Sequence, residues 1–207
     1  MIAVARNTSA LESIVAELGG GAVPLTCDIT DERAVSAMVE TVMQTVGDSP
    51  DIVVNNAGVF RVARLDAMPI EMFREVIETN LFAPFLVLRA FIAPMRARGS
   101  GHFVTLGSVA DRSVFPENGA YSPAKFGVRA MHEILRDELR GSGVRATLVS
   151  PGPVDTSMWD GVSFGGETRV TPDRAEMLAA NAVAGAVLFA VTQPTAVNID
   201  ELRLSHA

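Results

Sequence analysis

The sequence predicts an α/β fold with a doubly wound parallel sheet, and three observations carry that expectation. Short runs rich in Val and Ile alternate with longer runs of helical periodicity along the whole chain. Alternation of this kind buries a parallel sheet under helices on both faces. At 207 residues the chain has the length of a single domain, 1–207, large enough for a full core.

Six strands are expected: Ile2–Ala5, Ala22–Cys27, Asp51–Asn55, Gly101–Leu106, Arg145–Ser150 and Ala196–Leu204. Each is short, β-branched and bounded by Gly, Pro, Asp or Asn. Helical spacing marks Ser9–Leu18, Glu32–Val46, Glu71–Ala97, Tyr121–Arg140 and Pro172–Ala190. In the first of these Leu11, Ile14, Val15 and Leu18 share a face, with Thr8 or Ser9 as N-cap and Gly19 as stop. Thr30 and Thr171 are read as caps of later helices, and Pro172 occupies a first-turn position where a missing N–H costs nothing. The sequence contains neither internal repeats nor low-complexity tracts. Ser157–Val170, with Gly161, Gly165 and Gly166, reads as a mobile loop.

Composition narrows the function. With 17 basic and 24 acidic residues the net charge is −7, which disfavours a nucleic-acid partner that needs phosphate neutralised. The mean hydropathy of +0.28 prompts a search for a membrane span. The apolar stretches Leu81–Met95 and Ala182–Val191 are interrupted by Pro84, Arg89 and Pro94 or are too short, so no membrane partner is expected. No basic-then-apolar leader opens the chain. A single cysteine, Cys27, excludes an internal disulfide and a cysteine zinc cage, and three scattered histidines make no metal site. A cytoplasmic, acidic, core-rich globule is the expectation.

In doubly wound sheets, ligands bind beyond the carboxyl ends of the strands. The residues that follow the strands are Arg6, Asp28, Asn55–Asn56–Ala57–Gly58, Gly107–Ser108 and Pro151–Gly152. Tyr121, the one tyrosine, lies four residues before Lys125 on a helical stretch, so the two share a face. A free tyrosine, with a pKa of about 10, is a poor base at neutral pH, and a nearby ammonium favours its phenolate. The plainer alternative is a half-buried Tyr beside a solvated Lys. The pair nevertheless follows Ser108, at a strand end, by thirteen residues.

The set Asn55-Asn56-Ala57-Gly58, Asn80, Ser108, Tyr121-Ser-Pro-Ala-Lys125 and Pro151-Gly152-Pro-Val154-Asp-Thr156, in this order and spacing, resembles the short-chain dehydrogenase/reductase family of the common single-domain type. The resemblance spans essentially the whole chain and implies a Rossmann-like domain. It implies that Tyr121 is the general acid/base and that Lys125 lowers its pKa and binds the nicotinamide ribose. Ser108 would hold the substrate oxygen, and Asn80 would anchor a water that continues the proton relay. Val154 and Thr156 would bracket the nicotinamide carboxamide, beside Pro151 and Gly152. Asn55, Ala57 and Gly58 would lie beside the adenine ribose, and Asp28 would contact adenine. Hydride transfer to a carbonyl develops an alkoxide, which needs such partners already in place. Plainer roles stay open: a backbone-satisfied helix asparagine for Asn80, a turn residue for Ser108, and an Asx-turn for Asp28.

Ala5–Arg6 ends the first strand present, where a carboxylate would bind a ribose 2′-hydroxyl and an Arg favours a 2′-phosphate. NADP(H) is therefore expected over NAD(H), the alternative being a solvent-facing Arg. The family's first strand and glycine-rich turn are absent, so the sheet is expected to be N-terminally incomplete. Gly19-Gly20-Gly21 follows a helix and precedes a strand, the reverse of the phosphate-binding context. The missing strand would lie mid-sheet, leaving Ile2–Ala5 either unjoined to Asp51–Asn55 or re-paired against it. A start at an internal methionine of a longer protein is the favoured explanation.

The function expected is an NADP(H)-dependent oxidoreductase interconverting a carbonyl and a secondary alcohol. The alternative is a non-catalytic relative, a binding or dimerisation module that has lost its cofactor. Apolar residues on several faces of Glu71–Ala97 and Tyr121–Arg140, including Phe82, Phe85 and Ile134, point to a homodimer or homotetramer. The substrate pocket is expected between Val109–Phe115, Ser157–Val170 and Phe60-Arg61, and its substrate to be a small uncharged carbonyl or alcohol. Only Arg112, Asp160, Glu167 and Arg169 would read a charge there.

Overall fold

A computed structural model describes residues 1–165 and 171–207. Four parallel strands, β3 (Ile52–Asn55), β4 (Gly101–Leu106), β5 (Val144–Pro151) and β8 (Glu201–Leu204), form one sheet in that order. Strands β1 (Ile2–Ala5) and β2 (Val23–Thr26) pair in parallel as a separate two-stranded sheet. Among the described residues β1 has no ladder to β3, so the re-pairing of Ile2–Ala5 against Asp51–Asn55 does not occur and the separated arrangement does.

The helices are α1 (Thr8–Leu18), α2 (Glu32–Val46), α3 (Ile70–Ile77), α4 (Ala83–Arg98), α5 (Tyr121–Glu138) and α6 (Ala180–Val191). One core joins Val35, Met38 and Val42 of α2, Leu86, Phe91 and Met95 of α4, and Leu135 of α5 to Val53, Phe103 and Ala146 of the sheet. Side chains alternate across a strand, so Arg145, beside Ala146, points to the opposite face. There it donates to the carbonyls of Val191 and Gln193 at the end of α6. Helices thus cover both faces, the doubly wound arrangement.

Caps differ from expectation in ways the side chains explain. Asn7, one residue earlier than Thr8, accepts from Ala10 N–H and caps α1. Asp31 caps α2 through Arg33 and Ala34 N–H, because Thr30 is engaged with Asp28 instead. The expected helix Pro172–Ala190 begins only at Ala180. Asp173 caps a short 3₁₀ turn at Arg174–Glu176, and Leu178–Ala179 (β7) is drawn into a two-residue ladder with Val154–Asp155 (β6). Thr171 caps nothing; its hydroxyl donates to Val162 O.

Pro84, Arg89 and Pro94 do not break the apolar stretch as expected: Ile70–Arg98 runs helically for 29 residues, α3 and α4 being joined by a π-turn at Glu78–Phe82. By length and composition this helix is able to cross a membrane, but half of its apolar window is buried within the protein. Core packing accounts for the buried half of its apolar residues.

Candidate active site

The carboxyl ends of β3, β4 and β5 and the start of α5 open on a cavity of about 810 Å³. It is lined by Asn56, Gly58, Asn80, Ser108, Tyr121, Lys125, Pro151, Gly152, Val154 and Thr156. Arg6, Asp28, Asn55 and Ala57 do not line it. Asn56 and Gly58 are the members of that motif that line the cavity.

Local structure places each of these groups. The α5 register puts Tyr121 and Lys125 one turn apart, with Lys125 Nζ 5.7 Å from the tyrosine ring centroid. Lys125 is buried and donates to the carbonyl of Leu106 at 2.8 Å. Ser108 follows β4 after Gly107 and caps the 3₁₀ turn Val109–Asp111, its Oγ accepting from Ala110 N–H at 3.1 Å. The Ser108 hydroxyl lies close enough to the Tyr121 phenol to favour its ionised form. The ring of Phe60 packs edge-on against Tyr121 at 4.8 Å and leans on Trp159 at 5.0 Å.

Asn80 sits in the π-turn, a departure from α-geometry that is frequent at functional sites. Its Nδ2 donates to Val59 O at 2.9 Å and to Val76 O at 3.0 Å, and its Oδ1 accepts from Val59 N–H at 3.3 Å. The backbone satisfies the side chain, yet Asn80 also faces the cavity. Gly58 makes this possible, because a Cβ there would stand 2.7 Å from Asn80 Oδ1.

Burial controls the titration of the pair. It pushes the Tyr121 phenol up to about 12, opposed by the nearby Ser108 hydroxyl and aided by the charge of Asp111. It pushes Lys125 down to about 8, against the charge of Asp111. The expected lowering of the tyrosine pKa by Lys125 is therefore not what these groups do among themselves. A low-dielectric setting disfavours both charged forms at once.

At the other strand ends, Asp28 accepts from Thr30 N–H and Oγ, the Asx-turn alternative, which with the charge of Arg6 holds its carboxyl below the usual range. Asn55 Nδ2 is buried without a hydrogen-bond partner. A nicotinamide cofactor fits this chain at its nicotinamide end, where a hydroxyl, an ammonium and the Pro151–Thr156 segment meet on one cavity. For the diphosphate, the described residues supply no glycine-rich turn leading from a strand into a helix.

Several lining residues were not singled out from the sequence: Val183, Ala184 and Val187 of α6, and Ser205 and His206. Nothing in their local pattern marks them, since α6 is apolar on every side. Of the residues expected to read charge, Arg112 is bound to Asp111 and Glu201, and Asp160 to Arg174. Glu167 and Arg169 lie outside the described residues.

The sequence pattern of the family described as short chain dehydrogenase matches residues 1–164. An uncharacterized oxidoreductase of Staphylococcus epidermidis is 31% identical over 204 residues, covering 99% of this chain and 85% of its own. Among solved structures, an alcohol dehydrogenase from the archaeon Thermococcus sibiricus, complexed with 5-hydroxy-NADP, superposes with a TM-score of 0.86 at 29% identity, covering 100% of this chain and 85% of that one. A serine dehydrogenase from Escherichia coli gives 0.82 at 27% identity, covering 98% and 84%. With a Rossmann-type doubly wound sheet and these relatives, the chain belongs to the short-chain dehydrogenase/reductase family of oxidoreductases.

Proposed function

We propose that this oxidoreductase interconverts a small, uncharged, largely apolar carbonyl compound and its secondary alcohol, with NADP(H) as the cofactor. The observation that carries the reading is the convergence of Ser108, Tyr121 and Lys125 on one apolar cavity at the sheet's carboxyl edge. The nicotinamide ring, when bound, supplies or accepts the hydride. Tyr121 gives its hydroxyl proton to the oxygen that becomes the alcohol, and Ser108 holds that oxygen by a second hydrogen bond. In the reverse direction Tyr121 takes the proton back.

Lys125 holds the ribose side of the site and supplies the positive charge that compensates a transient phenolate. The Asn80 side chain has spent both amide hydrogens on backbone carbonyls. Its own backbone carbonyl lacks the usual donor four residues on, because residue 84 is proline and has no N–H. That carbonyl is the natural anchor for a relay water behind Lys125. Pro151, Gly152, Val154 and Thr156 would hold the nicotinamide. Arg6 supports NADP(H) as a guanidinium unopposed by a carboxylate at position 5. Complexes with NADP or 5-hydroxy-NADP among the structural neighbours support the same choice. Asp28, Asn55, Ala57 and Gly58 would serve the adenosine half.

Phe60, Phe115, Met158, Trp159 and Val187 give the substrate cavity its apolar walls. Phe82, Phe85 and Ile134 are exposed on α4, its preceding π-turn and α5, which supports a homodimer or homotetramer.

The test is cofactor oxidation against a panel of ketones and aldehydes, with direct titration of NADPH and NADH. Turnover that falls at least about 10²-fold in Tyr121→Phe supports the reading. Unchanged activity in that variant overturns the mechanism. No binding of either cofactor favours the non-catalytic alternative.

A further inference from the structure

Directly behind Ser108 lies a carboxylate with no exposure at all, that of Asp111. A buried charge of this kind is costly unless it is paired and hydrogen-bonded. Asp111 meets that condition by tying three strand ends together. Its Oδ2 accepts from Ser108 N–H at 3.3 Å and from the Ser150 hydroxyl of β5 at 2.5 Å. Its Oδ1 accepts from Arg112 Nε at 2.7 Å, and Arg112 continues into an ion pair with Glu201 of β8. Gly107 admits the carboxylate: a Cβ there would stand 2.5 Å from Ser150 Oγ and 2.6 Å from Asp111 Oδ2.

We infer that Asp111 is a positioning residue for the proposed proton transfer, its carboxylate locking Ser108 onto β5 and fixing a negative charge behind Tyr121 and Lys125. The inference rests on the proposed function, whose groups it serves. The charged and titratable groups around this centre are Tyr121 and Lys125 from α5, Arg112 from the turn after β4, and Glu201 from β8. Ser108 and Ser150 add neutral hydroxyls. Arg112 is shared between two carboxylates, so it does not cancel the field of Asp111 completely. That field raises the pKa of both Tyr121 and Lys125. It thereby keeps Lys125 charged and Tyr121 protonated, the states needed to reduce a carbonyl, against the burial that strips the ammonium of its charge.

Asp111→Asn keeps the shape and removes the charge. In the wild type and this variant, two quantities decide the matter: kcat/KM for carbonyl reduction against pH, and the ultraviolet absorbance of the phenolate against pH. Tyr121 is the one tyrosine of the chain, so the second readout is specific and needs no turnover. The alkaline limb of the rate and the phenolate midpoint are both expected to move to lower pH by about half a unit or more, with circular dichroism reporting retained fold. Profiles that superimpose on the wild type overturn the inference. If the wild type reduces no carbonyl, the proposed function fails, and the phenolate titration alone decides the place of Asp111. If Asp111→Asn does not fold, Ser150→Ala replaces it, removing the short hydrogen bond and keeping the charge. A lowered kcat with little change in KM and an unmoved pH profile is expected there; an unchanged kcat overturns the inference.

Discussion

Lys125 reaches from α5 to the end of β4, where its ammonium donates to the carbonyl of Leu106 at 2.8 Å. One hydrogen bond thus ties the helix that carries Tyr121 to the end of the strand that leads through Gly107 to Ser108. The same burial that makes the bond dry lowers the pKa of Lys125 from 10.5 to about 8.

A pH dependence follows from that value. Since the folded pKa lies below the ordinary one, the cost of burying the ammonium is full below pH 8 and disappears as pH rises towards 10.5. Stability relative to Lys125→Met is therefore expected to increase across that window. Activity is expected to move the other way, kcat/KM declining above about pH 8 as the charge is lost. Lys125→Met is expected to lose about 10²-fold or more in kcat, by the usual scale of proton-transfer groups. Steady-state rates from pH 6 to 10, with denaturant unfolding at the same pH values, check both directions.

Much of this site was legible because its spacing is local. Tyr121 and Lys125 are one helical turn apart, and Ser108 and Pro151–Gly152 lie at their strand ends, so periodicity and strand ends located them. Asn80 was harder to place physically, because its contacts to Val59 lie 21 residues away and depend on Gly58. Asp111 was missed although the Ser-x-x-Asp spacing from Ser108 is a capping signature. Its partner Ser150 is 39 residues distant, and only the β4–β5 ladder brings the two together. The start of α6 was misjudged for a similar reason: helical spacing from Pro172 was real, but the ladder between Leu178–Ala179 and Val154–Asp155 overrode it.

Two buried histidines give the fold an acid limit. His102 shares a hydrogen bond with Thr147 at 2.8 Å and His132 with Thr105 at 3.3 Å, and the second ring nitrogen of each is buried without a partner. Burial is the main cause that lowers both pKa values to about 4, with the charges of Arg145 and Arg136 next. The unfolded chain, titrating near 6.5, binds more protons than the folded one between pH 6.5 and 4. Stability must fall as pH drops through that range, by roughly 3 kcal/mol for each histidine at full effect. Urea unfolding at pH 7.5 and 4.5 measures the loss. His132→Asn is expected to shrink it, and a loss of equal size in that variant would assign the acid sensitivity to other groups.

Gly58 offers a test of how closely the backbone fits the site. A methyl at this position stands 2.7 Å from Asn80 Oδ1, closer than a Cβ tolerates, and Asn80 is pinned by three hydrogen bonds. In Gly58→Ala the Asn80 amide must turn away and surrender at least one of them, at a cost of about 1–3 kcal/mol. A fall in kcat of about tenfold or more is expected alongside a lower melting temperature. An Asn80→Ala background, which removes the clash and the amide together, should make the Gly58→Ala change nearly neutral for stability. If the two changes simply add, the contact is not the cause.

The cavity walls make a prediction about discrimination. Among the described residues, Lys125 and His206 are the only basic or acidic side chains lining the cavity, and Lys125 is bonded to Leu106. Arg112, which lies close by in sequence, is held by Asp111 and Glu201. Arg174 likewise spends its guanidinium on Asp155, Asp160 and the carbonyl of Thr156, fastening the Met158–Trp159 wall. Among the described residues a carboxylated substrate finds no uncommitted arginine or lysine in this space, so its desolvation goes uncompensated. An uncharged ketone is therefore expected to have the higher kcat/KM than its carboxylated analogue of equal length. The measurement is that ratio. A preference of tenfold or more for the carboxylate, about 1.4 kcal/mol of differential transition-state binding, would mean that one of these arginines leaves its partners when substrate binds.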